Sequence, residues 1–361
     1  MAPPHSELDH RNPVTALYAT PEKDQIPELV TAFHKANVKS SINLDKYPSL
    51  KHLGRRDLSP YLGTEIIGLD LTQVTEEQVE DLKKLIIERG VLHFRDQEKL
   101  GKPELVEFGK KFGPPHIHPT IPAPADAPEL IYVHSDPTRQ NAAESWHSDV
   151  TFEEQPAKYS ILKFDVTPEV GGDTAFTDTF AAYDKLSDKL KEILSTLEAE
   201  HSGVHVFGKF PLKSADNPIN TNVHPVIRSH PVTGRHALYV NGNFTTKIIG
   251  LHKKESDFLL NYLYNHIANC VEAQVRVRWT NHSVALWDNT HTQHSAIADF
   301  FPALRSGHRY TSYGERPFYK PRPDLGNGNG LYDTPGWKRL LETGERYART
   351  SDPVKEGDSR A

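Results

Sequence analysis

The sequence predicts an α+β protein whose central element is a β-sandwich or barrel with a few helices on its outside. Short runs in which apolar and polar residues alternate recur in the second half, as in HALYV at 236–240 and SVALWD at 283–288. Few segments have helical periodicity. A chain of 361 residues with 37% hydrophobic residues can bury one large core, so we expect a single catalytic domain with extensions.

The first half of the chain has two predicted helices and a long loop. GTEIIGLDL, which begins at Gly63, predicts a strand, and Thr75 followed by two glutamates predicts a capped helix that continues to Ile87. VLHFRD at 91–96 predicts another strand, and a second helix is expected at 103–112. GPPHIHPTIPAPADAP, which follows, contains too much proline for either element. It predicts a loop.

The second half is predicted to be rich in strands. VHPVIRSHP and HALYV, separated by a TGR turn, predict a hairpin. The other expected strands are 159–164, 173–176, 275–279 and 283–288, and the expected amphipathic helices are 183–197 and 255–267.

The ends of the chain are polar and are predicted to be extensions. We expect an N-terminal extension at 1–57 with at most a short helix around 26–36, a catalytic domain at 58–319 and a C-terminal tail at 320–361. No apolar run approaches the roughly 18 residues that span a bilayer, and the first residues carry proline and charge where a signal peptide needs apolar residues. We therefore expect a soluble cytoplasmic protein with no membrane partner.

Composition limits the chemistry. The single cysteine, Cys270, excludes an intrachain disulfide framework and a zinc site built mainly from thiolates. The formal net charge of -6 argues against general nucleic-acid binding, although basic pockets for small anions are compatible with it. Any metal must be held by histidine and carboxylate side chains.

One segment, WHSDVTF at 146–152, suggests a metal site. Alternate residues of a strand point to the same side, so a strand here would present His147 and Asp149 together. His294 in TQHSA would add a second imidazole from a distant strand. Two imidazoles and one carboxylate on one side of a metal, with other positions open, are typical of iron(II) oxygenases.

Other histidines offer competing sites. Chance predicts about three His-x-Asp/Glu triplets, because 20 histidines and 48 acidic residues occur among 361 residues. His134 and Asp136 form a second such triplet, but Pro137 favours a turn there. His116 and His118 have strand spacing and could hold zinc with a third ligand. Their proline-rich surroundings favour a loop that contacts substrate. A separate alternative is a zinc hydrolase that uses two histidines and an acidic residue with a metal-bound water.

Longer motifs resemble a known family. WHSDVTF, GGDTAFTDT, ALWDNTHTQHSA and RSGHRYTSYGERPFY, in this order and spacing, are similar to the taurine dioxygenase (TauD/TfdA) family, and the resemblance extends from about Gly63 to Tyr319. It implies a double-stranded β-helix, or jelly roll, that uses Fe(II), 2-oxoglutarate and O2. It also implies that the iron ligands are His147, Asp149 and His294.

The resemblance also implies two sites for anions. Arg305 pairs with the distal carboxylate of 2-oxoglutarate, helped by the hydroxyl of Thr174, and Arg309 faces the anionic group of the substrate. Their spacing of four suits one face of either a helix or a strand, so the two arginines could exchange roles. In sulfonate-using relatives a loop histidine contacts the sulfonate, which assigns that role to His118.

The remaining pocket positions bear on the substrate. Apolar family positions correspond to Val150, Val206, Phe207 and Phe244. Taurine-specific members carry a tyrosine and an asparagine near the amine, where this chain has Ile121 and Ala143. A buried ammonium without acceptors is costly, so the resemblance favours an alkylsulfonate or alkyl sulfate, as in the fungal sulfonate dioxygenases. Taurine and aryloxyalkanoates are the alternatives.

The chemistry implied is hydroxylation next to the sulfur-bearing group, which releases sulfite or sulfate and an aldehyde, with succinate and CO2. The proline-rich loop at 114–124 is a hypothetical lid over the site. The family often self-associates, so we expect a homo-oligomer, a dimer or a tetramer.

Overall fold

Fifteen strands and six α-helices lie in the residues that the computed structural model describes, 46–138 and 144–321. The strands are β1 Gly54–Asp57, β2 Thr64–Ile67, β3 Val91–Phe94, β4 Leu130–Ser135, β5 Ala157–Val166, β6 Thr174–Asp178, β7 Glu198–Ser202, β8 Thr221–Pro225, β9 Ile227–Ser229, β10 His236–Leu238, β11 Thr245–Ile248, β12 Gln274–Val277, β13 Ser283–Asp288, β14 Thr292–Ala296 and β15 Arg305–Tyr313. The helices are α1 Glu76–Arg89, α2 Lys102–Lys110, α3 Thr179–Asp184, α4 Asp188–Leu194, α5 Val204–Phe207 and α6 Lys253–Ala268, and a 3-10 helix spans Val271–Ala273.

The largest sheet has seven strands in the order β1-β2-β3-β13-β5-β15-β4. Every pair in it is antiparallel except β2 and β3. Two sheets of three strands have the orders β12-β6-β14 and β11-β7-β8, and β9 and β10 form a hairpin. The fold is therefore a sheet-rich α+β structure, as the sequence predicts.

Strand β13 shows how the large sheet is covered on both faces. Its side chains alternate in direction. Val284 and Leu286 pack into a cluster with helices α1 and α2, whereas Ala285 and Trp287 face the opposite side. There Trp287 meets Phe176 of β6, with ring centroids 5.5 Å apart. The three-stranded sheet β12-β6-β14 thus packs against the face of the large sheet that lies away from α1 and α2.

Local sequence explains the helix boundaries well in α1. Thr75 and Gln78 form a reciprocal capping box: the Thr75 hydroxyl accepts from the backbone of Gln78, and the Gln78 side chain accepts from the backbone of Thr75. Gly90 ends the helix at a φ of +64°. The helices predicted at 103–112 and 255–267 are confirmed as α2 and α6, and the predicted hairpin is confirmed as β9 and β10.

The single amphipathic helix predicted for 183–197 is wrong. The chain instead forms α3 and α4, separated by Lys185, Leu186 and Ser187. Asp178 caps the first of these helices through Phe180 N, and Ser187 caps the second through Leu190 N. Ser187 lies inside the predicted segment and satisfies a new helix start there, so the chain forms two short helices in place of one.

Some predictions lie outside the described residues. These are the helix around 26–36, most of the N-terminal extension, and the tail beyond residue 321. Strand β1 precedes Gly63 and pairs with β2, so the sheet begins before the first strand predicted from the sequence. Within the described part of the chain, no helix is long and apolar enough to cross a membrane.

Candidate metal centre

The structure brings together three buried side chains that can share one metal ion. His147, Asp149 and His294 are 5%, 3% and 7% exposed. One potential ligand atom from each lies within 4.8 Å of the other two, and in the described residues no other set of three His, Cys, Asp or Glu side chains meets this condition. The set therefore matches the metal ligands that the sequence favours.

Backbone pairing holds the two histidines side by side. His147 N donates to His294 O at 3.0 Å, and His294 N donates to His147 O at 2.8 Å. The strand predicted for WHSDVTF is nevertheless wrong: only His147 bridges to β14, and residues 149–152 form a turn in which Val150 has a φ of +46°. Asp149 thus reaches the site from a turn and not from the next position on a strand.

The two imidazoles are arranged to act as neutral ligands. His147 Nδ1 donates to Ser145 O at 2.8 Å, which leaves the lone pair of Nε2 free for a metal. His294 Nε2 lies 3.9 Å from an oxygen of Asp149. Burial lowers the pKa of both imidazoles, so neither carries a proton on both nitrogens at neutral pH.

A chain of hydrogen bonds fixes the orientation of Asp149. The Ser160 hydroxyl donates to Asp149 Oδ2 at 2.6 Å, and Asn289 Nδ2 donates to Ser160 Oγ at 2.9 Å. Asn289 Oδ1 in turn accepts from the backbone N of Asp149 at 3.1 Å and from Trp287 Nε1 at 3.1 Å. The carboxylate is therefore held by a closed ring of buried polar groups.

Arg309 adds the charge that keeps Asp149 ionised. Its NH1 lies 2.8 Å from Asp149 Oδ1. Burial by itself raises the pKa of the Asp149 carboxyl, but the Arg309 guanidinium and the hydrogen bond from the Ser160 hydroxyl hold that pKa well below its usual range. An ionised carboxylate beside two neutral imidazoles is a donor set ready for a divalent cation.

The competing histidines are engaged elsewhere. His134 Nε2 pairs with Asp136 Oδ2 at 2.9 Å, and His134 lies within β4, not in the turn expected from Pro137. His116 Nε2 lies 3.3 Å from Glu153 Oε1. The sequence favoured the His147 triplet because a strand was expected there and a turn was expected at His134. The structure has the opposite arrangement, with His134 in a strand and Asp149 in a turn. The geometry of the candidate ligands nevertheless supports the His147 triplet.

Arg305 contacts the segment that leads into β6, whose first residue is Thr174. Arg305 NH1 donates to the carbonyl of Gly172 at 2.6 Å, two residues before Thr174. The guanidinium carbon lies 4.8 Å from the ring centre of Phe164 and 5.2 Å from that of Phe300. Its Nε is buried without a partner in the described protein. A buried cation with an unpaired donor is suited to a carboxylate that comes from outside the chain.

His118 is a buried histidine near Arg309 and Asp149, and its ring keeps one N–H group. Its Nδ1 accepts from the backbone N of Ile121 at 3.0 Å and of Thr120 at 3.2 Å, so the ring proton must be on Nε2. Burial, with smaller contributions from nearby cationic groups that include Arg309, lowers the pKa of His118 to about 2. His118 is therefore a neutral hydrogen-bond donor at physiological pH.

Apolar side chains line one side of the site. Val150 and Phe244 belong to a buried cluster with Phe152 and Ala157, and Val206 and Phe207 of α5 pack against it. The Phe207 ring lies 4.7 Å from His118, and the Phe244 ring lies 6.1 Å from His147. The predicted pocket residues therefore lie between His118 and the candidate metal ligands. Ala143 lies outside the described residues.

Sequence reasoning missed several residues of the site. Asn289 lies within the quoted motif ALWDNTHTQHSA, so its position beside the ligands could have suggested it. Ser160 occurs in ordinary strand-like sequence with no motif around it. The Arg309 contact with Asp149 depends on how β15 lies in the large sheet, which spacing alone does not determine.

Comparison with known proteins identifies the family. The model of the taurine catabolism dioxygenase TauD, TfdA family matches residues 54–311, which is more than half of the chain. The chain belongs to the TauD/TfdA family of dioxygenases. It is therefore an Fe(II)- and 2-oxoglutarate-dependent oxidoreductase that acts on a small molecule.

Individual relatives in the TauD/TfdA family are also named as dioxygenases. An α-ketoglutarate-dependent sulfonate dioxygenase of Saccharomyces cerevisiae is 35% identical over 303 residues, covering 79% of this chain and 73% of the relative. An α-ketoglutarate-dependent sulfate ester dioxygenase of Pseudomonas putida is 33% identical, covering 77% of this chain and 95% of the relative. The crystal structure of a taurine dioxygenase from Burkholderia xenovorans has a TM-score of 0.63 and 32% identity, covering 75% of this chain and 93% of that one.

The residues of this TauD/TfdA dioxygenase fit an iron(II) ion. His147 and His294 each offer a neutral imidazole, and Asp149 offers an ionised carboxylate within reach of both. This mixture of nitrogen and oxygen donors is the one that iron(II) oxygenases use. A zinc hydrolase, the alternative left by the sequence, has no support from the comparisons.

Proposed function

We propose that this dioxygenase holds iron(II) with His147, Asp149 and His294 and hydroxylates an alkylsulfonate or an alkyl sulfate next to its sulfur-bearing group. The sulfonate dioxygenase and sulfate ester dioxygenase among the relatives support this substrate class. The observation that carries the proposal is the pairing of a partly buried cation, Arg309, and a neutral donor, His118, with an apolar wall.

Arg309 and His118 suit the anionic group of such a substrate. A sulfonate or sulfate spreads its charge over three oxygens, which accept from both a guanidinium and an imidazole N–H. Because His118 is neutral, it adds a directed hydrogen bond without adding charge. Arg309 would turn from Asp149 to the anion when both metal and substrate are bound.

The apolar wall favours an alkyl chain over an ammonium group. Phe207, Phe244 and Val206 offer no hydrogen-bond acceptor from their side chains, and neither does Ile121. A buried ammonium that finds no acceptor costs several kcal/mol, by order of magnitude. An alkyl chain in the same place gains roughly 0.8 kcal/mol for each buried methylene.

Bound iron(II) supplies the redox chemistry that couples O2 and 2-oxoglutarate to hydroxylation, with succinate and CO2 as coproducts. The protein residues position the reactants: Arg305 and Thr174 would bind the distal carboxylate of 2-oxoglutarate, and Arg309 and His118 would direct the carbon that bears the sulfonate or sulfate group towards the metal. A hydroxyl on that carbon lets the carbon–sulfur or ester carbon–oxygen bond break. The products are an aldehyde and sulfite, or an aldehyde and sulfate.

Several finer features belong to the same proposal. We propose that the two packed sheets are the walls of a jelly roll, that the catalytic domain predicted at 58–319 also includes strand β1, and that the residues before β1 and those at 320–361 are extensions. The likeness to the taurine dioxygenase structure supports the jelly roll. We also propose that the protein is cytoplasmic and that it forms a homo-oligomer, a dimer or a tetramer. Light scattering of the purified full chain tests the oligomeric state.

A substrate panel tests the function. Purified enzyme with iron(II), 2-oxoglutarate and O2 is offered taurine, hexanesulfonate, hexyl sulfate or phenoxyacetate, and succinate, sulfite and aldehyde are measured. We expect kcat/KM for hexanesulfonate or hexyl sulfate to exceed that for taurine at least tenfold. A preference for taurine or phenoxyacetate would reject the proposed substrate class.

Matched variants test the metal assignment. Asp149→Ala should abolish succinate formation and the binding of Mn(II), a redox-inert probe of the iron site. Asp136→Ala changes the acidic residue of the other His-Ser-Asp triplet, whose carboxylate pairs with His134, and it should leave both measurements nearly unchanged. Retention of turnover by Asp149→Ala would refute the iron site.

A further inference from the structure

The hydroxyl of Thr174 has one partner in the described structure, the indole N–H of Trp279. Trp279 Nε1 donates to Thr174 Oγ1 at 3.0 Å, and both side chains are buried. An indole N–H donates and never accepts, so Thr174 must be the acceptor in this bond. The proton of the Thr174 hydroxyl is therefore directed away from Trp279.

We propose that Trp279 is a positioning residue for the cosubstrate: its N–H orients the Thr174 hydroxyl so that this hydroxyl donates to the distal carboxylate of 2-oxoglutarate. This inference rests on the cosubstrate roles proposed for Thr174 and Arg305. A freely rotating hydroxyl would offer the carboxylate either a lone pair or a proton. The Trp279 N–H occupies one lone pair of the hydroxyl and keeps its proton pointing away from the indole, so fewer orientations remain before the cosubstrate arrives.

The strand register places Thr174 at a suitable distance from the metal ligands. In the pairing of β6 with β14, Phe176 lies opposite His294, and Thr174 lies opposite Ala296. Thr174 is therefore two residues from the position opposite a metal ligand, roughly 7 Å along the strand. A five-carbon diacid that chelates a metal through one end can reach this far with its other carboxylate.

Trp279 is itself held rigidly. It follows β12, and its ring makes edge-to-face contacts with Phe164, at 4.7 Å between centroids, and with His93, at 6.0 Å. Phe164 also lies beneath the guanidinium of Arg305. One aromatic ring thus supports both anion-binding residues, directly for Arg305 and through Trp279 for Thr174.

Binding measurements on Trp279→Phe test the proposal. Phenylalanine keeps an aromatic ring against Phe164 and His93 but lacks the N–H. The probes are N-oxalylglycine, which has a distal carboxylate, and oxalate, which has only the chelating end, each titrated by calorimetry into protein loaded with Mn(II). We expect the Kd for N-oxalylglycine to rise about fivefold, the net effect of one hydrogen bond. The Kd for oxalate should change less than twofold.

A double-mutant cycle separates positioning from general packing. In Thr174→Val there is no hydroxyl to orient, so adding Trp279→Phe should not weaken N-oxalylglycine binding further. Equal losses with both probes, or the full loss in the Thr174→Val background, would overturn the proposal. If Trp279→Phe does not fold, Thr174→Ser and Thr174→Val supply the test: serine should bind nearly as wild type, and serine binding as weakly as valine would overturn it.

Different results would reject the cosubstrate site and the positioning role of Trp279. If wild-type protein with Mn(II) does not distinguish N-oxalylglycine from oxalate, the proposed cosubstrate site is wrong. If wild type prefers N-oxalylglycine and Trp279→Phe retains the whole preference, the site stands and Trp279 has no positioning role.

Discussion

At the scale of single residues, Ser160 shows how much of the candidate metal site lies outside its ligands. Its hydroxyl donates to the oxygen of Asp149 that Arg309 does not contact, and it accepts from Asn289. The carboxylate is therefore fixed at both oxygens. A metal that binds a fixed carboxylate does not have to order it, so the supporting hydrogen bonds contribute to metal affinity.

Ser160→Ala should therefore weaken Mn(II) binding by roughly 10- to 100-fold, measured by calorimetry. Ser256→Ala is the matched control, because Ser256 is also buried and its hydroxyl accepts from Ile248 N, far from the candidate ligands in the chain. The control should lose stability without losing metal affinity. Equal metal affinity in the two variants would contradict the role given to Ser160.

Arg309 has a second consequence at this scale. Asp149 is buried and ionised, and the Arg309 guanidinium compensates its charge at 2.8 Å. In Arg309→Met that charge loses its cation, which typically costs about 3 kcal/mol or more in the free energy of unfolding. Mn(II) would replace the missing positive charge and should restore most of this loss.

Urea unfolding of wild type and Arg309→Met, each with EDTA and with Mn(II), measures the effect. The difference between the two proteins should be large with EDTA and small with Mn(II). The same difference under both conditions would show that Arg309 stabilises the fold independently of Asp149.

The candidate ligands could be predicted from the sequence, but their local geometry could not. The motif order and the resemblance pointed to His147, Asp149 and His294. The turn at Val150 has a positive φ, and nothing in VTF indicates it, because valine rarely adopts this conformation. Tertiary contacts, above all the pairing of His147 with His294, impose the turn against local preference.

At the scale of elements, helix α2 packs so closely on β15 that it needs a glycine. A methyl group on Gly109 would lie 2.4 Å from Cγ of Tyr310. Helix propensity alone predicts that Gly109→Ala stabilises the protein by about 1 kcal/mol. Overpacking of this kind typically costs about 1–3 kcal/mol, so the structure predicts a net loss of stability.

Thermal unfolding distinguishes these two expectations. Glu107→Ala, at an exposed position of the same helix, is the control and should change stability by less than about 0.5 kcal/mol. If Gly109→Ala unfolds at a higher temperature than wild type, the close packing of α2 on Tyr310 is wrong.

Elements with strong periodicity or clear caps were predicted well, and composite segments were not. Helices α1, α2 and α6 each have one continuous apolar face, and the sequence predicts them within a few residues. The segment 183–197 has a continuous apolar period but contains Ser187, which caps α4. Periodicity does not show that Ser187 begins a second helix, because the same apolar period continues through it.

At the scale of the whole molecule, the alternation of β13 anticipates a sheet buried on both faces, since SVALWD has apolar residues at both parities. The order of strands in the large sheet could not be read from the chain. Strands β13 and β15 enter it beside β5, far from their sequence neighbours. The resemblance to the family, and not the local patterns, led to the expectation of a jelly roll. Family motifs contain information about how distant parts of a chain are arranged.

Two loops distant in the chain also meet at this scale. Lys213 N donates to Pro119 O at 2.8 Å, and Asn217 Nδ2 donates to Ile117 O at 2.7 Å. The loop that carries His118 is thereby attached to the segment after α5, which carries Phe207. His118, the candidate hydrogen-bond donor to the substrate anion, and Phe207 of the apolar wall are thus held by the same pair of connected loops. No motif in the proline-rich sequence indicates this connection.

The backbone pairing of His147 with His294 also bears on the order of folding. These residues are separated by nearly half of the chain, so the pair can form only after distant parts of the polypeptide have met. The complete ligand set is then absent from early folding species, and metal uptake is a late event. In kinetic terms the ion acts on the barrier to unfolding and not on the barrier to folding.

Stopped-flow measurements should show this asymmetry. Saturating Mn(II) is expected to slow unfolding in urea at least tenfold while leaving the refolding rate within about twofold, as expected for contacts that form after the transition state. A metal-dependent refolding rate would mean that the two histidines meet early. On the expected outcome, a newly made chain folds at the same rate whether or not iron is scarce, and the metal then determines how long the folded chain lasts.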